Sequence, residues 1–152
     1  MASTSSPGAA LDLLVARLRE AEAPLADHVT DSAERPVFGL LAALGPRSAA
    51  APGEYAFVVE AVREGYLLHY GAPRLLAGHD EDLALLAGDY LYALGIDRLA
   101  ALGDSEAVAV LTDLIGRCAQ LHSEDRLDEV AGLWRSAALA VGGRDHGDRR
   151  AA

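Results

Sequence analysis

The sequence predicts an all-α protein, an antiparallel bundle of about six helices in one domain. Alanine and leucine dominate a hydrophobic share of 51%, whereas the β-branched and aromatic residues that favour strands are sparse. Apolar residues recur at the i, i+3, i+4, i+7 spacing of helices that bury one face. Glycine, proline and aspartate separate these stretches, where helices stop and start. At 152 residues the chain fits a single core that buries roughly two thirds of the surface its unfolded form would expose.

Residues 1–8 are small and polar, and residues 142–152 combine glycine with dense charge, so both ends read as frayed tails around a helical domain over residues 9–141. Leu11, Leu14, Val15 and Leu18 form the stripe of a first helix, which Pro24 kinks or ends. Pro36 suits the first turn of a second, short helix, because its missing N–H would be unpaired there in any case; Leu40, Leu41 and Leu44 mark its apolar face before Gly45-Pro46. After a loop of small residues from Ala49 to Gly53, Phe57, Val58, Ala61, Val62 and Leu68 predict a buried third helix ending near His69, with Pro73 forcing a break beyond it.

Asp80 is suited to cap a fourth helix, with Glu81 and Asp82 in the first turn, where the helix dipole favours negative charge. Leu83, Leu86, Tyr90 and Leu94 line one side, and Leu85, Leu91 and Leu102 widen the apolar surface until this rod of about 30 Å reads as buried nearly all round. Gly103 ends it and Asp104 caps a fifth helix striped by Val108, Leu111, Ile115 and Cys118. Leu127, Val130, Leu133, Trp134, Ala137 and Val141 give the last helix a clean period.

The formal net charge of −10 opposes the counterion release on which nucleic-acid binding depends, and the arginines form no basic stripe. Nucleic acid is therefore not an expected partner. Free diphosphates would also be repelled without a cation between. All 13 basic residues are arginine, with no lysine or asparagine anywhere, a pattern that GC-rich bacterial coding would leave. A single cysteine, Cys118, rules out an intramolecular disulfide and supplies too few soft ligands for a structural zinc site, so a reducing cytoplasm fits best. No apolar run approaches the ~20 residues needed to span a bilayer, and the start lacks the apolar core of a signal peptide.

Four fragments in order resemble the first half of the all-trans polyprenyl diphosphate synthases. Arg35-Pro36 lies where that family has the end of Gly-Lys-Arg-x-Arg-Pro, and Glu60 to His69 is similar to the helix that enters His-Asp-Asp-x-x-Asp. Leu86-Ala87-Gly88-Asp89-Tyr90-Leu91 resembles the family's Leu-x-Gly-Asp segment, and Leu102-Gly103-Asp104 the turn after it. The resemblance implies a bundle like the N-terminal half of the isoprenoid synthase fold. It spans about residues 30–121.

The departures imply a chain without its own chemistry. In the family, aspartates hold Mg²⁺ against the allylic diphosphate, because a hard cation neutralises the leaving group. Here His69 is followed by Tyr70, Gly71 and Arg74 at those positions, none of them a magnesium ligand. Of the basic diphosphate clamp only Arg35 remains, behind Ser32-Ala33-Glu34, and the later aspartate motif has no counterpart.

The resemblance therefore points to the small, non-catalytic subunit of heterodimeric hexaprenyl and heptaprenyl diphosphate synthases. Such a chain would bind no metal or cofactor itself, with Mg²⁺ held by a full-length catalytic partner. It would set product length for a quinone side chain such as that of menaquinone. By the same resemblance the fourth and fifth helices form the subunit interface, with Leu83, Leu86, Asp89, Tyr90, Leu94, Leu111 and Ile115 as contact candidates. A different class of reading is a stand-alone helical protein that binds an isoprenoid or another lipid, or serves as an adaptor, without an enzyme partner.

Several residues have plainer readings. His69 at a helix end suits the free carbonyls and the dipole there. The run His79-Asp80-Glu81-Asp82 reads as capping rather than a metal cluster. Cys118 and Trp134 lie on inward stripes and read as core, and Tyr66 as ordinary helix packing. Gly95 costs about 1 kcal/mol against alanine in mid-helix, which reads as a close crossing, a partner contact or simple drift.

Overall fold

The computed structural model of the chain describes residues 6–144, and the expected tails at 1–5 and 145–152 lie outside the described residues. The helices are α1 (Ala10–Arg19), α2 (Val37–Ala43), α3 (Pro52–Tyr70), α4 (Glu81–Ala101), α5 (Ser105–Ser123) and α6 (Val130–Val141). Short 3₁₀ turns cover Pro7–Ala9, Ala26–His28 and Leu127–Glu129. Among the described residues there is no strand beyond one isolated antiparallel bridge between Val29 and Leu76. The fold is all-α. Among the same residues no helix is long and apolar enough to cross a membrane.

The helix buried nearly all round is α3, not α4 as the leucine content suggested. Pro52 opens α3, and every residue from Tyr55 to Val62 is buried, as are Glu64, Gly65, Tyr66 and Leu68. It packs against α1, α2 and α4 and so forms the axis of the molecule. On one side Val58, Val62 and Tyr66 join Leu111, Leu114 and Trp134 from α5 and α6. On the other, Phe57, Ala61 and Leu68 meet Leu14 and Leu18 of α1, Leu91 and Leu94 of α4, and Leu75 and Leu76 of the connecting loop.

α4 turns Leu83, Ala87, Leu91, Leu94 and Leu99 inward but leaves Leu85 54% and Leu86 68% exposed. Its inner face comes close to α3 at Gly95, where a Cβ would stand 2.7 Å from Val62 Cγ2 and 3.0 Å from the Val58 carbonyl. Gly95 therefore marks a crossing inside the chain. The caps fall where the sequence placed them: Asp80 accepts from the Leu83 N–H at 2.8 Å and Asp104 from the Ala107 N–H at 3.0 Å. Asp104 also accepts from the Tyr55 hydroxyl at 2.7 Å, tying α5 to α3. Gly103, with φ of +78°, takes the left-handed turn between α4 and α5 that other residues adopt reluctantly.

Three boundaries differ from expectation. The buried residues of α2 are Gly39 and Ala42, and Leu44 is exposed, because so short a helix lies down on α3 through its smallest side chains. Leu127 lies in the 3₁₀ turn ahead of α6 and is exposed. Gly142, assigned to a tail, is buried, and its carbonyl accepts from the Arg47 N–H at 2.8 Å, so the end of α6 is fastened to the α2–α3 loop.

Candidate functional site

The site with the most unusual chemistry is built around Arg74, from two glutamates that the sequence pattern had passed over. Glu60 and Glu64 are one turn apart on α3, so their side chains leave the same face, and both are wholly buried. The loop after α3 returns across them and delivers Arg74. Its Nη1 donates to Glu60 at 2.7 Å and its Nε to Glu64 at 2.9 Å. The remaining carboxylate oxygens are filled by backbone: the Gly39 N–H on Glu60 at 2.8 Å, and the Arg74 and Leu75 N–H groups on Glu64 at 2.8 and 2.9 Å.

Burial works against the Arg74 charge, but Glu60 and Glu64 outweigh it and hold the guanidinium above its ordinary range. Arg74 thus presents no free positive charge here; its charge is absorbed by the fold. Gly39 belongs to the same construction. A Cβ there would stand 2.8 Å from the Ala56 carbonyl and 2.9 Å from Glu60, so only glycine brings its N–H to that carboxylate.

His69, Tyr70 and Gly71, the other residues compared with the metal motif, are spread around the end of α3. His69 does not cap its own helix: its Nε2 lies 3.2 Å from Asp89 on α4, and its ring centroid lies 5.2 Å from that of Tyr92. Tyr70 stacks on His122 of α5 with centroids 4.1 Å apart. His122 Nε2 also lies 2.7 Å from the hydroxyl of Tyr66, whose phenol is held above its usual range by burial. Gly71 closes α3, its N–H donating to the Leu67 carbonyl at 2.8 Å. The residues therefore do not fit a magnesium ion: an arginine is spent on two carboxylates, a tyrosine is stacked, and a glycine has no side chain. Among the described residues no group of three or more histidine, cysteine or acidic side chains is arranged to hold a metal.

Arg35, read as the remnant of a diphosphate clamp, is exposed at the mouth of a cavity of about 250 Å³ between the start of α2 and the middle of α3. Arg63 and Arg74 line the same cavity, together with Glu60. The Arg63 guanidinium lies 4.9 Å from the Phe38 ring centroid, 5.1 Å from Tyr66 and 5.0 Å from Trp134.

Of the contact candidates, Leu83, Leu94 and Leu111 belong to the chain's own core. That removes them as contact candidates on the surface of the chain: Leu94 packs with Phe57 and Ala61 of α3, Leu111 packs with Val58 of α3 and Trp134 of α6, and Leu83 is buried at the start of α4. Leu86 and Asp89 are exposed, and Tyr90 and Ile115 are half-buried. Cys118 is buried, and burial pushes its thiol up to about 11, which suits packing rather than nucleophilic chemistry.

Glu60, Glu64 and Arg63 are the residues that periodicity did not single out. The available signal was a pair of glutamates four apart inside an otherwise apolar run, with an arginine ten residues later in a proline-broken loop. No protein-family model, curated protein or solved structure matches the chain.

Proposed function

We propose that this chain is the non-catalytic regulatory subunit of a heterodimeric all-trans polyprenyl diphosphate synthase. It braces a full-length catalytic subunit and sets the length of the isoprenoid that is made for a quinone. The observation that carries the reading is the state of position 74, where the resemblance would place a magnesium-binding aspartate. Arg74 instead has its Nε and Nη1 engaged inside the fold by Glu64 and Glu60. Elongation, with its magnesium, then resides in the partner.

The exposed leucines Leu85 and Leu86 support the same reading, since they stand on the helix that the resemblance assigns to the subunit interface. They would lie at the contact, with Asp89 beside them. The test is co-purification with the full-length synthase of the same genome, and then product-length analysis with allylic diphosphate, isopentenyl diphosphate and Mg²⁺, with and without this chain. A stable complex whose activity or product length depends on the chain supports the proposal. No complex and no change would refute it in favour of a stand-alone binding or adaptor protein.

A further inference from the structure

We infer that the cavity between the start of α2 and the middle of α3 binds a small organic monocarboxylate with an apolar body. The inference stands on the cavity alone and is independent of the subunit reading. Arg63 makes no ion pair and no hydrogen bond among the described residues, although it is held in a fixed place by three aromatic rings at 4.9–5.1 Å. A guanidinium stacked in this way has lost its freedom but kept its donors, which is the preorganised state that a ligand would otherwise have to impose. In the same cavity Arg74, whose side chain is 8% exposed, has an Nη2 that is buried and without a partner. Arg35 supplies a further cation at the mouth, beside Glu34.

The charge count selects the kind of anion. Glu60 and Glu64 are balanced by Arg74 and Arg63, and Glu34 offsets Arg35. The two buried carboxylates are also saturated, taking five donated hydrogen bonds between them. These six charges cancel, so a bound anion is in excess by its full charge; a single carboxylate keeps that excess to one and can use the unpaired donors of Arg63, presenting two coplanar oxygens to a planar fork. A polyanion would set further uncompensated charge against two buried carboxylates, at a steep cost. Val37, Phe38 and Leu67 supply an apolar wall. At about 30 Å³ per water-sized unit, 250 Å³ has room for roughly eight, a short-chain or single-ring acid rather than a long chain.

Trp134 is the only tryptophan and lies under Arg63, so its fluorescence reports on the site directly. The full chain would be titrated at constant ionic strength with butyrate, benzoate, butyramide and inorganic pyrophosphate, with calorimetry alongside. Saturable binding of butyrate or benzoate, at least roughly tenfold tighter than the neutral amide, supports the site. Arg63→Gln should weaken it by about the same factor, and the exposed Arg35→Gln by a few-fold with the fold unaffected. If Arg63→Gln does not fold, the amide comparison and Arg35→Gln decide. No saturable acid binding, equal affinity for acid and amide, or tighter binding of pyrophosphate than of butyrate would overturn the inference.

Discussion

Replacing Arg74 with methionine should destabilise the fold by about 3–5 kcal/mol, the range found when a buried ion pair loses one partner. The structure sets that magnitude. Methionine keeps much of the aliphatic volume but removes both side-chain donors, at 2.7 and 2.9 Å, from carboxylates that have no exposure to water. Three backbone N–H groups remain on the pair and Arg63 stands nearby without bonding it, so one carboxylate charge is left uncompensated in a dry interior. Against a total stability of roughly 5–15 kcal/mol the loss is large enough to read in urea unfolding monitored by Trp134 fluorescence.

Adding Glu60→Gln and Glu64→Gln to Arg74→Met should restore part of the loss, short of all of it because each amide NH2 then faces methionine without an acceptor. Each amide keeps an oxygen to accept the backbone N–H groups while the charge is gone. A loss below about 1 kcal/mol for Arg74→Met alone, the size expected of an exposed pair, would refute the view that this triad locks the loop onto α3.

Leu86→Asp should leave the thermal transition nearly unchanged while abolishing the proposed complex on size exclusion, because the side chain is 68% exposed. Leu94→Asp, on the inner face of the same helix, should instead unfold the chain, seen as lost ellipticity. Tyr55 is raised to about 12, first by its burial and then by its bond to Asp104, so the folded state keeps its proton longer than the unfolded state does. Stability should accordingly be full below pH ~10 and fall as pH rises through the folded value, an effect that Tyr55→Phe removes from the pH profile of urea unfolding. Cys118 should react with a disulfide reagent only as fast as the protein opens, in parallel with global unfolding measured by hydrogen exchange.

Helix positions and ends were legible because they are set by local chemistry. Asp80 and Asp104 cap α4 and α5 whatever the tertiary context, and Gly103 turns the chain for the same local reason. The helix faces were less legible. Leu83 and Leu86 share one side of α4 in any helical projection, yet one is in the core and the other in water, because the position of α3 fixes the edge of the stripe. The buried charges were not legible from periodicity at all. Glu60 and Glu64 read as the polar side of an amphipathic helix unless Arg74 is known to cross them, and that depends on the path of the loop, which residues 28–30 hold through Val29 and Leu76.

The exposed face of α4 carries one more consequence for the proposed assembly. Leu85 and Leu86 are flanked on the same helix by exposed Glu81, Asp82 and Asp89, in a chain whose net charge is −10. A second copy docking through this face would cover the leucines but bring two sets of carboxylates together, a repulsion that grows as water is squeezed out. A partner with an apolar centre and a basic rim would cover the same leucines and be steered towards them by the acidic flank. Under the proposed subunit reading, the acidic flank therefore argues against a second copy at this face and for an unlike chain with a basic rim.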